Sequence, residues 1–427
     1  MRRLLPALLI ATLLLLSSIW LLAGPTSAQE PESAPPKGPD APPKLESAPP
    51  PFPPEPDDPG VALDGALLRK IEPQLLKKLL TGDSEAVPFM AYLQAKTDLA
   101  AAAATLQAQA EADPLARRTA IVAALQQTAR QSQAGLLQTL LAPPAGALSG
   151  QSIAAVDIRP LWIVNAVAAK GNLATVLALA ARPDVELIRL DKEIKLNDQL
   201  TINNYQLSII NYQFTIPPLQ NTPEWGIAKI RADLVQTALG IDGRGVVVAN
   251  IDSGVDWLHP ALQRKYRGYT GPGHLPLHLG NWHDATGLGA AYPVDSYGHG
   301  THTMGTMVGD FGLGVAAGAR WIAVRAFDSS GGGQNSWLHA AFQWILAPNG
   351  DPALAPDIVN NSWGSDFGAS TEFEADVAAL LSAGILPIFS AGNNGPAAGT
   401  VGSPGSYNNA FAVGATTIDD EIALFSS

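Results

Sequence analysis

The sequence predicts an α/β domain over its C-terminal half: a parallel sheet with helices on both faces. Two observations carry this. From Trp225 onward, continuous apolar runs alternate with amphipathic stretches, the pattern of strands buried on both sides. Polar residues then collect directly after those runs, where chemistry gathers in such sheets. The chain has 427 residues, 47% apolar and 15% charged, enough for two or three folding units with a sizeable core.

Composition removes several classes of function. Lys+Arg 26 against Asp+Glu 38 leaves a formal charge of −12, which speaks against a nucleic-acid partner, since phosphate binding needs a basic face. With no cysteine there is no disulfide scaffold, thiol catalysis or thiolate metal centre.

In chain order, Arg2 and Arg3 precede an apolar run from Leu4 to Leu22, and Thr26-Ser27-Ala28 offers a cleavage site. Residues 1–28 are therefore expected to be a signal peptide of a secreted protein, or an anchor if uncleaved. Residues 29–60 are Pro-rich, with Glu-Ser-Ala-Pro-Pro twice, and are expected to be a disordered linker. Residues 61–142 read as helical: Leu67, Leu68, Ile71, Leu75, Leu76 and Leu79 keep helical spacing, and Asp113-Pro114 opens a later helix that stops at Pro143-Pro144. Residues 143–198 read as a small α+β module. In it Leu161–Ala169 is a strand, Asn172 caps a helix through Ala181, and Val185–Leu196 is further strand. Residues 199–222 form a polar, cleavable linker.

The domain at 223–427 has buried-strand runs at Val246–Ile251, Arg320–Phe327, Asp357–Asn361, Ile385–Ala391 and Ala410–Ala415. Helices are expected at Ser336–Leu346 and at Thr371–Ala383, the second opening with Thr371 and Glu374 at capping-box spacing.

Four motifs follow those runs. Asp252 in I-D-S-G-V-D ends the first, and a carboxylate at a buried strand end must be paired. His299 in Y-G-H-G-T-H opens a helix-like stretch, and paired with a buried carboxylate it becomes an orientable general base. Asn393 in F-S-A-G-N-N-G can turn its amide toward a developing oxyanion. Asn360–Gly364 (N-N-S-W-G) offers a strand edge for an extended peptide, and Gly331–Gly333 a facing edge. Each has a bland alternative on its own, respectively a turn, a structural histidine, an Asn-Gly turn and a flexible loop.

Together they carry a resemblance. D-S-G-V-D, H-G-T-H, N-N-S-W-G and S-A-G-N stand in the order and spacing of the subtilisin-like serine proteases, as do G-V-A-A-G-A at Gly314–Ala319 and F-A-V-G-A at Phe411–Ala415. W-G-I-A-K-I at Trp225–Ile230, W-I-A-V-R-A-F at Trp321–Phe327 and A-P-D-I-V-N-N-S-W-G at Ala355–Gly364 resemble the bacillopeptidase F branch in particular. The resemblance implies a three-layer fold and a secreted endopeptidase precursor, a zymogen acting on polypeptides. Asp252 would orient His299, His299 would be general base and then acid, and Asn393 would stabilise the oxyanion. Ser362, Trp363 and Gly364 would line the substrate groove opposite Gly331, Gly332 and Gly333, and Gly402, Ser403, Pro404 and Gly405 would shape the specificity pocket. The module at 143–198 would be the propeptide, an intramolecular inhibitor.

Two departures stand out. Many members hold calcium through an Asp after the His-Pro pair, where this chain has Ala261; no cofactor is expected for the chemistry, and a strong structural calcium site is not expected. The nucleophilic serine of the family's Gly-Thr-Ser motif does not occur in these residues, nor does G-x-S-x-G, so the sequence is expected to be C-terminally incomplete and inactive by itself. The family's serine-bearing helix packs beside the sheet, so Val246–Ile251 and Ile385–Ala391 are expected to lack cover and the C-terminal half to be only partly ordered. Two other readings compete: a non-catalytic, peptide-binding pseudoprotease, and a metal-dependent hydrolase using His274, His278, His283 and Asp284 or His299 and His302. H-E-x-x-H is absent, which counts against the latter.

Overall fold

The computed structural model describes residues 65–81, 86–104, 113–141, 155–196, 222–366 and 368–427. The expected signal peptide (1–28), the Pro-rich linker (29–60) and, but for residue 222, the cleavable linker (199–222) lie outside them.

After a helical turn at Gly65–Leu68, the N-terminal unit runs α1 (Pro73–Thr81), β1 (Val87–Leu93), α2 (Leu99–Ala104), α3 (Pro114–Leu141), β2 (Val156–Leu161), β3 (Ala166–Gly171), α4 (Leu173–Ala180), β4 (Val185–Leu190) and β5 (Glu193–Lys195). Strands β1 to β4 make an antiparallel sheet in the order β2-β3-β1-β4. This corrects the reading of 61–142 as helical and of 143–198 as a separate module: β1, from the first segment, is an inner strand of the sheet formed by the second. A seven-residue apolar run such as Val-Pro-Phe-Met-Ala-Tyr-Leu has no period that separates a buried strand from a buried helical turn, and Pro88 speaks against an inner strand. Pro88 is tolerated at the second position. The single strand expected at Leu161–Ala169 is instead the end of β2, a turn at 162–165 and the first four residues of β3, whereas Asn172 caps α4 as expected, accepting from Thr175 N at 3.0 Å.

Alternation splits β1 by face. Phe89, Ala91 and Leu93 join Leu75, Leu136, Leu140 and Val176 in the unit's own core. Met90, on the other face, belongs to a core continuous with the C-terminal domain.

That domain comprises α5 (Trp225–Lys229), α6 (Ala232–Leu239), β6 (Val247–Asp252), β7 (Trp282–Asp284), α7 (His299–Val308), β8 (Arg320–Arg325), β9 (Gly332–Gln334), α8 (Asn335–Leu346), β10 (Ile358–Asn361), α9 (Glu374–Ser382), β11 (Leu386–Ser390) and β12 (Phe411–Val413). Six strands form a parallel sheet in the order β12-β11-β10-β6-β8-β7. Ala249, Ile251, Val359 and Phe389 pack with Phe342 of α8 and Val377 of α9. Val248, Ile358 and Ile388 pack on the opposite side with Met304 and Met307 of α7. The expected lack of cover is therefore corrected: Val248 and Ile388 are at most 1% exposed under α7, and Ile251 and Phe389 are fully buried under α8 and α9. Leu386, Phe411 and Val413, toward the β12 edge, are half-buried, as are Val246 and Val247 at the start of the β6 run. The capping-box reading is also corrected, since α9 starts at Glu374 after Phe373 and no side chain caps it.

The two parts are joined by polar contacts as well as by the core. Asp191 accepts from Ser336 N and Oγ at 2.9 and 2.6 Å, capping α8 from outside. Gln343 Oε1 accepts from Trp162 N at 2.6 Å, and Arg117 Nε donates to Ser382 O at 2.6 Å. Beside them, fully buried His339 holds the fully buried Asp376 carboxylate through Nδ1 at 2.9 Å and lies 3.3 Å from Glu372 Oε1 through Nε2. Burial opposes a charge on His339, yet the Asp376 and Glu372 carboxylates raise its pKa to about 10. Burial likewise opposes ionisation of Glu372, but His339, Tyr92 and Arg189 hold it at about 2.

Two outcomes follow. Phe89→Ala removes a fully buried ring from the N-terminal core and lowers stability by about 3–5 kcal/mol in urea unfolding; a loss below about 1 kcal/mol would place Phe89 outside that core. His339, raised from 6.5 to about 10, contributes stability that is complete below pH 6.5 and is lost as pH rises to about 10. Glu372, lowered from 4.5 to about 2, acts at the other end, contributing above 4.5 and losing that contribution as pH falls to about 2. Burial shifts Asp376 upward, which opposes Glu372 there, and Tyr92 is shifted upward beyond the His339 window. The alkaline limb is thus the clean readout: thermal melts of the wild type fall between pH 6.5 and 10, and those of His339→Gln are flatter over that range.

Candidate active site

The site begins with parity along β6. Val248, Asn250 and Asp252 share one face, and because Val248 packs in the core formed by α7, the period of two points the Asp252 carboxylate at α7 as well. The opening residue of α7 is His299. Its Nδ1 lies 2.7 Å from Asp252 Oδ1, with the Asp252 side chain fully buried and the His299 side chain 20% exposed. Asp252 also accepts from Ser253 N at 2.7 Å and from Thr303 Oγ1 at 3.3 Å. The buried carboxylate fixes the imidazole by its Nδ1, leaving Nε2 as the nitrogen that exchanges protons with a reactant.

The approach of α7 to β6 needs glycine at two points. A Cβ on Gly300 would lie 2.1 Å from Gly254 O, and one on Gly254, at φ +111, would lie 1.9 Å from Val294 O. Three further residues hold the pair and were not singled out from sequence. Asp295 accepts from Gly298 N and Thr301 N, each at 2.8 Å, so it caps α7. Ser253 Oγ donates to Asp295 at 2.9 Å and accepts from Gly300 N at 2.9 Å. Asn250 Nδ2 donates to Gly300 O and Thr303 Oγ1, while its Oδ1 accepts from Asn360 Nδ2 at 3.2 Å. An acid shortly before a helix start and a lone amide inside an apolar strand were the available signals.

Asn360 Nδ2 also donates to Ser362 Oγ at 3.0 Å, which ties the N-N-S-W-G segment to the Asp–His pair. Gly364 sits against Ser403, since a Cβ there would be 3.1 Å from Ser403 O, and Ser365 N donates to Ser403 O at 2.8 Å. Gly402 leaves no room for a side chain, with a Cβ only 1.9 Å from Ser365 O, and Gly405 approaches Ser390 O in the same way. Gly402, Ser403, Pro404 and Gly405 are thus buried against both the 362–365 segment and the end of β11. Half-buried Asn393 follows β11, one strand removed from β6, and its neighbour Asn394 bonds Ser427 Oγ through its backbone N–H at 3.0 Å.

Trp363 requires a correction. Its side chain is 2% exposed, donates from Nε1 to Ile251 O at 3.1 Å, and packs among Phe342, Phe373 and Phe389. The indole is core, so only the backbone of Trp363 is left to line a groove. Gly331, Gly332 and Gly333 are not a free edge either, because β9 pairs antiparallel with β5: Glu193 faces Gln334, Ile194 faces Gly333 and Lys195 faces Gly332. Leu196 N extends the ladder to Gly331 O at 2.8 Å.

The histidines of the metal reading are engaged separately. His278 Nδ1 is 3.1 Å from Tyr266 Oη, His283 stacks on Trp344, and Asp284 accepts from Thr286 and Ala290. Among the described residues no three His, Asp or Glu side chains converge as a metal would require.

Comparison with known proteins agrees with this geometry. The model of the subtilase family matches residues 243–427. The chain is 37% identical over 327 residues to bacillopeptidase F of Bacillus subtilis (strain 168), an alignment spanning 73% of this chain and 22% of that protein. It is 35% identical over 214 residues to subtilisin E of the same strain, covering 50% of it, and to the same degree to a subtilisin of Bacillus pumilus, covering 69% of it. A parallel sheet that brings Asp252 to His299, within a sequence this similar to subtilisins, places the chain in the subtilase family of serine proteases.

Proposed function

We propose that the chain is the precursor of a secreted subtilisin-like endopeptidase that hydrolyses peptide bonds in proteins through an Asp-His-Ser triad. The single observation that carries this is the 2.7 Å contact between buried Asp252 and His299 at the end of a parallel strand. In this reading Asp252 orients His299 and stabilises the imidazolium. His299 Nε2 takes the proton of the attacking serine and returns it to the leaving amine. The Asn393 amide stabilises the tetrahedral oxyanion. Ser362, the Trp363 backbone and Gly364 form one side of the substrate groove and Gly331–Gly333 the other, with Gly402–Gly405 walling the specificity pocket. No cofactor takes part in the chemistry, and Ala261 speaks against a strong calcium site.

Residues 65–196 act in this reading as the propeptide, an intramolecular inhibitor. The β5–β9 ladder supports it, because an extended strand laid on Gly331–Gly333 occupies the edge a substrate backbone would use. The apolar N-terminal run supports export, with the membrane met only through the signal segment.

Two assays test the proposal. In a polypeptide that holds these residues together with the nucleophilic serine, His299→Ala lowers kcat by about 10⁶ and Asp252→Asn by about 10⁴, the scale of such losses in subtilisins and related triads, with KM little changed. Retention of robust casein hydrolysis by His299→Ala would overturn the assignment. Residues 1–427 by themselves do not turn over a peptide reporter; turnover that Asp252→Ala abolishes would reveal a nucleophile among the residues present.

A further inference from the structure

The His339 cluster has no part in the chemistry proposed above, yet it lies where the N-terminal unit meets α8 and α9. From the C-terminal domain come His339, Asp376 and Glu372. Tyr92 of β1 donates its hydroxyl to Glu372 Oε1 and lies 3.5 Å from His339 Nε2. Arg189 of β4 donates from Nη1 to Glu372 Oε2 at 2.8 Å, with its guanidinium 5.7 Å from the Tyr92 ring centre. The Glu372 side chain is 9% exposed and that of Arg189 34%. Both oxygens of one buried carboxylate are thus read by the N-terminal unit, while His339 holds that carboxylate from behind.

We propose that Glu372, positioned by His339, is the anchor by which the peptidase recognises its own pro-module, through the phenol of Tyr92 and the guanidinium of Arg189. This rests on reading residues 65–196 as the pro-module. The charges support the fit: His339 offsets one of the two carboxylates and Arg189 the other, so the docked cluster balances. Departure of the N-terminal unit leaves Glu372 and Asp376 facing His339 alone. A buried carboxylate stripped of one partner is far costlier than the intact pair is stabilising, so the contact discriminates strongly against a docking face that lacks the Tyr–Arg pair. Gln343 takes the Trp162 backbone N–H of the unit, while Ser382 O and Asp357 take the Arg117 and Arg118 side chains. The Glu372 anchor adds a carboxylate read at both oxygens by a phenol and a guanidinium.

Hydrogen exchange on the full chain tests the anchor. The reporters are the interface amides Trp162, Ser336 and Leu196, each bonded across the junction. The internal controls are the β1–β3 and β10–β11 ladders. Glu372→Gln and Arg189→Met each speed the reporters about tenfold or more and leave the controls unchanged. The double variant is no faster than the faster single one, and Arg189→Lys restores most of the protection. Reporters unmoved in Glu372→Gln, or effects that simply multiply in the double variant, would overturn the anchor while leaving the docked pro-module intact. Reporters already exchanging as open amides in the wild type would instead overturn the docked pro-module itself, and the anchor with it. If Glu372→Gln loosens the controls too, Tyr92→Phe decides, since it removes one hydroxyl and keeps the ring. Faster reporters with intact controls support the anchor, and unmoved reporters refute it.

Discussion

A carboxylate removed from water at the end of a buried strand cannot remain charged without partners, and that constraint on Asp252 organises the domain around it. Its donors are Ser253 N, Thr303 Oγ1 and the ring of His299, two of them on α7. α7 must therefore begin against the end of β6, which requires glycine at positions 254 and 300 and the Asp295 cap at the helix start. Asn250 and Asn360 carry the same network across two strands to Ser362. The pair thus sits in a lattice of short polar contacts set on a rigid sheet, the arrangement that keeps a general base within reach of a reactant without reorganisation.

The N-terminal unit belongs to the same packing problem. One face of its sheet closes its own core, and the other merges with the side chains over α8. The strand that ends the unit then runs along β9. An apolar core runs across the junction, and the polar contacts set register: Asp191 on the α8 N-terminus, Gln343 on the β2–β3 turn, and Glu372 on Tyr92 and Arg189. Such directed contacts define where β5 comes to lie, which apolar contact alone leaves loose.

Much of this architecture was legible in the residues. The runs at Val246–Ile251, Arg320–Phe327, Asp357–Asn361 and Ile385–Ala391 became β6, β8, β10 and β11, because a parallel strand buried on both faces can be little other than apolar. Asp252 and His299 stood out as members of an ordered set of motifs, since singly one also fits a turn and the other a structural histidine. Some features left weaker signals. β1 was hidden by its shortness and by Pro88, and its place is settled by pairing with β3 and β4, some 75 to 100 residues downstream. Trp363 lies in a motif read as groove, yet its indole fills the space between α8, α9 and the sheet, a volume defined only once those layers close. His339, Glu372 and Asp376 lie within the two expected helical stretches, and no local spacing marks them as facing one another.

The sequence by itself determined the class of fold, five of the six strands of the parallel sheet and the two residues that face each other across its end; β7 was not among the expected strands. The strands depend on local apolar runs, and the pairing of Asp252 with His299 on the order of the motifs and the resemblance they carry. Tertiary structure alone decided which strand completes the N-terminal sheet, that β5 covers Gly331–Gly333, and that Tyr92 and Arg189 close over Glu372. Those are pairings between segments up to about 280 residues apart. Their energy comes from desolvation and shape at the contact, and neither exists until both surfaces have been built.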